Sequence, residues 1–419
     1  MAHILHVGFA EAFCGAIDFE HDTVTVLLHR YRVERLPKHV LAQFARVAVF
    51  DTDDPSDIAG YEKQLGTILK LADELVAEFG PPRAVVGLFE HTVYPAAMLR
   101  DHFGVPGTRA QVALRCRDKV EMKRALQNSA VPVPRFWPVD TSTTAAELEG
   151  SLKGTLGRVV LKPRGQAGSV GVRVFDSPAE VLDHAATAGF EDGYELEEFV
   201  DGSVFHIDGL VRDGAVCFLS VSRYLGTCLD FEFESVPVGS VTLDDPDLLD
   251  RAANFTDAVL DQLRLSDSSF HLEAFLTPSD EFTFLEIACR FGGAGVPIQL
   301  RLVAGFDIVR ESVLAAMGEP PEWTGPRTMA AAAPGASGML WVPIPGRACG
   351  RVRRIRGLDS CPDSVVFSEI PSVGAKLSPG GFYAAAGKFI LAGPNTTSVQ
   401  ADIETLISTY AVEMTVDSD

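Results

Sequence analysis

Through the first 110 or so residues, short apolar runs alternate with stretches in which apolar residues recur at helical spacing, and few architectures accept that pattern. Residues 3–9, 24–29, 46–51 and 84–90 are largely β-branched or apolar. Between the last two, Ile58, Leu65, Leu69, Ala72, Leu75 and Val76 share a helical face that ends at Gly80-Pro81-Pro82, and residues 92–103 repeat the device up to Gly104. Strands that are apolar on both faces need cover on both faces, so the pattern predicts a parallel, doubly wound sheet. No Gly-x-Gly-x-x-Gly turn follows the first run, which makes the shape Rossmann-like without the dinucleotide signal. Glu90 and His91 close the fourth run, at the end where such sheets bind ligands; a ligand contact and a structural role fit them equally.

A length of 419 residues leaves room for two or three domains. A helical stretch over 112–128 is stopped by Val131-Pro-Val-Pro134, an extended hinge. Strands at 158–162, 171–175 and 194–200, with a helix at 177–188, make a small β-rich lobe. From residue 204 the pattern is mostly β, with helices near 247–263 and 306–317, a hairpin over 270–289 and a Gly/Pro-rich, β-leaning tail from Met339. The domains expected are therefore 1–112, 113–203 and 204–419, the last with an extra β-rich lobe from about 330.

Charge narrows the function. Lys and Arg number 36 against 57 Asp and Glu, a net −21 that repels nucleic acid and anionic membranes. Any phosphate ligand must then be held by a local cluster of cations and backbone N–H groups. The one dense basic run, Gly350-Arg-Val-Arg-Arg-Ile-Arg-Gly357, reads as a half-exposed strand. Seven scattered cysteines (Cys14, Cys116, Cys217, Cys228, Cys289, Cys349, Cys361), with no C-x-x-C pair, suit reduced thiols in a cytoplasm. The most apolar window, 329–345, is broken by Pro334, Pro343 and Pro345, so no membrane span is expected.

Four constellations carry chemistry. In Lys162-Pro-Arg-Gly-Gln-Ala-Gly-Ser-Val-Gly171 a strand ends in lysine and a Gly-rich loop returns the chain, bringing backbone N–H groups and a cation to a phosphate. Taken alone it is equally a hairpin turn with a surface lysine. In the hairpin His271-Leu-Glu-Ala-Phe275…Phe284-Leu-Glu-Ile-Ala-Cys-Arg290, a regular register places Glu273 opposite Glu286, Phe275 opposite Phe284 and His271 opposite Ala288. Facing carboxylates repel unless a cation joins them, and hard oxygen ligands on rigid strands suit Mg²⁺. Arg290-Phe-Gly-Gly-Ala-Gly295 sets a guanidinium beside a Gly-rich loop, a grouping suited to an oxyanion. Glu195-Leu-Glu-Glu-Phe-Val200 is an acidic strand whose backbone edge suits a purine.

In the order Arg117-Asp-Lys119, Val131-Pro-Val-Pro, Lys162-Pro with its loop, Glu197-Glu-Phe-Val, Glu273, Glu286 and Arg290-x-Gly-Gly, the residues from about 85 to 310 resemble the ATP-grasp superfamily. Within it they are most similar to carboxylate–amine ligases that join amino acids. The resemblance implies an α/β fold with a Rossmann-like N-terminal domain, a β-rich lid lobe and a larger mixed domain built on an antiparallel sheet. It also implies an ATP-dependent ligase using Mg²⁺ or Mn²⁺, which activates a carboxylate as an acyl phosphate and passes it to an amine, releasing ADP and phosphate. A carrier-protein thiol as acceptor, or ATP binding without catalysis, are the alternatives. A homodimer is implied as well.

By the same resemblance, Lys119 and Lys162 bind phosphates, while Gly165, Gly168, Ser169 and Val170 belong to the loop that closes over the nucleotide. Glu197, with the backbone of Glu198 and Val200, holds adenine; Glu273 and Glu286 hold the metal; Arg290 stabilises the transferring phosphoryl group. Two positions depart from the family pattern. Val204 replaces a glutamate, which leaves the ribose to His206 or Asp208, and Ala288 replaces an asparagine metal ligand. His271, opposite Ala288, approaches that gap but is read as structural.

Overall fold

A computed structural model describes residues 2–52, 59–226, 231, 236–378 and 384–416; Ile58 and Cys228 lie outside the described residues. Strands β1 (His3–Val7), β2 (Thr23–His29), β3 (Arg46–Phe50) and β4 (Ala84–Val86) form a parallel sheet in the order β3-β2-β1-β4. Helices α1 (Leu65–Phe79) and α2 (Val93–Phe103) bury Ile68, Ala72, Leu75, Ala96 and Leu99 against one face. The opposite face packs on Val313 and Ala316 of the helix Ile308–Met317, so a distant segment of the chain seals the N-terminal sheet.

The single helix expected over 112–128 is two: α3 (Ala110–Arg115) and α4 (Lys119–Leu126). Asp118 interrupts it by accepting from the N–H groups of Val120 and Glu121, a local cap that competes with helix continuation. That cap places Lys119 in the first turn of a new helix.

The lid lobe is an antiparallel sheet of β5 (Phe136–Val139), β6 (Val159–Pro163), β7 (Arg173–Phe175) and β8 (Tyr194–Glu198), in the order β5-β8-β6-β7. Helices α5 (Ala145–Ser151) and α6 (Pro178–Thr187) cover it. Strand β5 and α5 are additions to the expected elements; β5 tolerates Pro138 because it lies on the sheet edge.

The third unit is built on β9 (Ser203–Arg212), β10 (Ala215–Leu225), β11 (Val238–Thr242), β12 (Ser268–Leu276) and β13 (Phe282–Ala288), with α7 (Pro246–Leu263) between β11 and β12. The tail supplies β14 (Ala336–Pro343), β15 (Gly350–Arg356), β16 (Val365–Glu369), β17 (Lys376–Leu377), β18 (Ala385–Gly393), α8 (Thr396–Thr409) and β19 (Ala411–Val416). Strands β14, β16 and β18 extend the same sheet, in the order β13-β12-β9-β10-β11-β14-β18-β16, while β15, β17 and β19 form a small sheet. The extra lobe expected from about 330 is therefore largely continuous with the main sheet, and its β-leaning tail contains the helix α8.

The hairpin β12–β13 departs from the regular register. His271 faces Ala288 and Glu273 faces Glu286, as expected, but Ala274 pairs with Phe284 and Phe275 with Thr283. Leu285 is the extra residue of a β-bulge. The bulge lets Phe284 and Ile287 both join Phe270, Leu272 and Ala274 in the core against α7. His271, Glu273 and Glu286 are left together on the opposite face. A regular hairpin would have turned Phe284 toward the carboxylates.

Candidate active site

Both lysines arrive from buried supports. The N–H of Lys119 donates to Arg164 O at 3.1 Å, and the Arg164 guanidinium returns to the capping Asp118 at 2.7 Å, so the start of α4 is fastened to the end of β6. From there Lys119 Nζ reaches Gln166 O in the Gly-rich loop at 2.7 Å and Glu286 Oε2 at 3.0 Å. Lys162, on β6, lies 2.8 Å from Glu197 Oε1. Burial opposes its charge, but Glu197 and Glu195 outweigh burial and hold its pKa above the ordinary lysine value, with a further contribution from Glu286. The two lysines and Glu286 thus share one electrostatic site.

Lys123, one helical turn after Lys119, is wholly buried between Glu195 Oε1 at 2.5 Å and Glu197 Oε2 at 2.6 Å. Lys123, Lys162, Glu195 and Glu197 make a closed quartet of zero net charge. Burial would raise the Glu197 pKa, and the two lysines overcome it to lower that pKa. At the expected adenine site, the Glu197 carboxylate is turned to the lysines, and the Glu198 N–H donates to Arg135 O at 2.9 Å. Val200, beyond the end of β8, is half-buried.

The loop after β6 takes left-handed backbone at Gly168 (φ 66°), Ser169 (φ 62°) and Gly171 (φ 74°). A side chain at Gly171 would begin 2.8 Å from Pro163 Cγ, so this position returns the loop against the strand it leaves. Val170 is 51% exposed at the loop's tip, and the Gly165 carbonyl accepts from the Arg117 guanidinium.

Arg290 follows β13 and grips Glu90, at the carboxyl end of the N-terminal sheet, at 2.5–2.6 Å through two nitrogens. Arg117 stands 3.5 Å from the other Glu90 oxygen and 2.8 Å from Glu62. Burial raises the Glu90 pKa, and Arg290 and Arg117 more than reverse it. Glu90 therefore ties the lid base, the main sheet and the N-terminal sheet at one point.

On the other side of Glu273, His206, Asp208 and His271 bring ligand atoms within 4.8 Å of one another, a spacing compatible with a metal ion. Their partners favour a self-contained ion pair instead. Asp208 accepts from His206 Nδ1 at 2.6 Å and from His271 Nδ1 at 2.8 Å. Burial works against a charged His271, yet Asp208 and Glu273 raise its pKa to about 10. His206, the expected ribose contact, pairs opposite Glu273 between β9 and β12. It is buried and engaged by Asp208, on a strand two places from β13.

The structure therefore brings together Lys119, Lys162, the loop of Gly165, Gly168, Ser169 and Val170, Glu273, Glu286 and Arg290. It turns Glu197 and His206 inward. Lys123, Glu195 and Glu62 are partners that the sequence reading missed. The Lys119-x-x-x-Lys123 spacing and the Glu195-x-Glu197 alternation were the available signals. Two carboxylates on facing strands, adjoining lysines, are a hard-oxygen donor set that fits Mg²⁺.

No profile of a known protein family matches the chain. It is 26% identical over 258 residues to an L-arginine-specific L-amino acid ligase of Bacillus subtilis, spanning 59% of each protein. It is 24% identical over 289 residues to an uncharacterized protein of Sinorhizobium fredii, spanning 67% of this chain and 56% of that one. The matches thus span less than two thirds of these relatives. Among solved structures, an L-amino acid ligase from Bacillus licheniformis superposes with a TM-score of 0.73 over 99% of both chains at 17% identity. Phosphoribosylglycinamide synthetase from Anaerococcus prevotii gives 0.68 at 15% identity, over 99% of this chain and 100% of that one. The biotin carboxylase domain of the Hydrogenobacter thermophilus 2-oxoglutarate carboxylase, a dimer in complex with MgADP, gives 0.67 at 16% identity, over 99% of this chain and 91% of that one. Among the described residues no helix is long and apolar enough to cross a membrane. In its fold the chain is therefore similar to these solved ATP-grasp structures.

Proposed function

We propose that the chain is an ATP- and Mg²⁺-dependent ligase that activates the carboxylate of an amino acid and joins it to an amine, releasing ADP and phosphate. The observation that carries this reading is the convergence of Lys119 and Lys162 on the electrostatic site of Glu286, under a Gly-rich loop and facing a strand that bears Glu273. Similarity to amino acid ligases in sequence and in fold supports the substrate class.

The chemistry follows from the residues. An amine and a carboxylate meet as an ion pair, so the acid must first acquire a leaving group. A carboxylate oxygen attacks the γ-phosphorus of ATP, the bond to the β-phosphate oxygen breaks, and an acyl phosphate and ADP result. Lys119 and Lys162 exchange their glutamate partners for phosphate oxygens and stabilise the charge there. Bound Mg²⁺, held by Glu273 and Glu286, would neutralise charge on the phosphates. Arg290, already fixed at the mouth of the N-terminal sheet by Glu90, stabilises the phosphoryl group and the acyl phosphate. The loop from Gly165 to Gly171 excludes water that would hydrolyse the intermediate. The amine nitrogen then attacks the acyl carbon, phosphate leaves, and the nitrogen loses a proton.

The test is a panel of amino acids, singly and in pairs, with ATP and Mg²⁺, read by phosphate release and product mass. Equal amounts of ADP, phosphate and a condensed product are expected. AMP with pyrophosphate, or no substrate-stimulated nucleotide cleavage anywhere in the panel, overturns the reading.

A further inference from the structure

Glu273 is held by one oxygen. Its Oε1 accepts the Tyr224 hydroxyl at 2.7 Å and faces His271 Nε2 at 3.5 Å, whereas Oε2 has no partner among the described residues. Tyr224 comes from β10 and His271 from two residues earlier on β12, so two rigid strands fix the same oxygen.

The histidine is itself fixed. Its Nδ1 lies 2.8 Å from Asp208 Oδ1, and Asp208 is braced by His206 on its second oxygen. Gly292 closes this nest from above: a Cβ there would stand 2.2 Å from Asp208 Oδ1 and 2.9 Å from His271 Nδ1. With both ring nitrogens engaged and backbone overhead, His271 has one available orientation, and that orientation aims Nε2 at Glu273.

The opposite strand offers equally little. Glu286 has Oε2 against Lys119 at 3.0 Å, and the position facing His271 is Ala288, which carries no donor. A pair of ions on one hairpin needs a carboxylate whose two oxygens bridge them, together with further oxygen ligands. Here Glu273 has one oxygen held by protein even with nucleotide bound, Glu286 Oε2 is released only as Lys119 turns to phosphate, and the position facing His271 is a methyl group.

We propose that Tyr224 and His271 are positioning residues that make Glu273 a one-oxygen ligand, so that the hairpin holds a single divalent ion with bound nucleotide instead of two. The inference rests on the reading of Glu273 and Glu286 as metal ligands at an ATP site, and goes beyond it by fixing the number of ions and the residues that set it.

Mn²⁺ is the probe, titrated into the full chain saturated with a non-hydrolysable ATP analogue and followed by electron paramagnetic resonance. One bound Mn²⁺ per chain is expected. Tyr224→Phe keeps the ring and removes only the hydroxyl; with it, and with His271→Gln, the Mn²⁺ dissociation constant is expected to rise about tenfold or more, because removing an outer partner frees the ligand to reorient. The KM for metal should rise by the same factor, while kcat at saturating metal falls less. Circular dichroism establishes that each variant is folded. Two Mn²⁺ per chain in the wild type, or unchanged Mn²⁺ affinity in both variants, overturns the inference while leaving the site reading intact. No nucleotide-linked Mn²⁺ binding by the wild type overturns both.

Discussion

Lys119 Nζ stands 3.0 Å from Glu286 Oε2, joining the first turn of α4 to the end strand of the main sheet. Each group is the other's partner, and on the proposed reading each is freed when a phosphate meets the lysine and a cation meets the carboxylate. Glu286→Gln keeps the volume and removes the charge. ATP-dependent phosphate release should fall at least about 100-fold, with the circular dichroism spectrum unchanged. Turnover within a few-fold of wild type would remove Glu286 from the site.

Lys123 is the hidden member of the quartet. Lys123→Met fills similar space but leaves Glu195 and Glu197 buried side by side with Lys162 as their one remaining cation. Breaking a buried ion pair in this way costs about 3–5 kcal/mol, so thermal denaturation should show a clear loss of stability. An unchanged melting temperature would show that the quartet is not the electrostatic unit described.

His6 lies on β1, fully buried, with its ring edge-on to Phe9 at 5.2 Å. Burial lowers its pKa from 6.5 to about 3. The folded chain therefore stays neutral there while the unfolded chain takes a proton below pH 6.5. Its contribution to stability is complete above 6.5 and is lost progressively as the pH falls toward 3, at about 1.4 kcal/mol per unit. His6→Phe should flatten that part of the stability curve between pH 6 and 4 in urea titrations, and an identical acid slope in the variant would refute the assignment.

Gly292→Ala places a methyl group 2.2 Å from Asp208 Oδ1, where backbone and a braced carboxylate have little freedom to yield. Overpacking of this kind costs about 1–3 kcal/mol. Reduced urea stability together with weaker metal activation is expected. Loss of neither would mean that the loop over Asp208 moves freely.

The sequence was legible where one pattern carried one meaning. Continuous apolar runs and helical spacing were enough for the N-terminal sheet, because nothing else satisfies both. The facing of Glu273 and Glu286 followed from a turn at 277–280 and a regular register counted from it. What escaped depended on competing local interactions or on partners distant in the chain. The helix over 112–128 breaks because Asp118 bonds its own backbone, and Leu285 bulges because Phe284 and Ile287 both enter the core. The pairing of Glu197 with Lys123 escaped the sequence because Lys123, on α4, is adjacent to it only after folding. The grip of Arg290 on Glu90 is likewise a product of tertiary packing between the two sheets.

The extra residue at Leu285 has a consequence for any shortened or redesigned hairpin. Deleting it would give tidier, uninterrupted pairing while rotating the stretch on one side by half a period. Either Glu286 would be driven into the oily layer against α7, or Phe284 would be pushed out among the acidic groups. In this protein the irregular ladder is the working one.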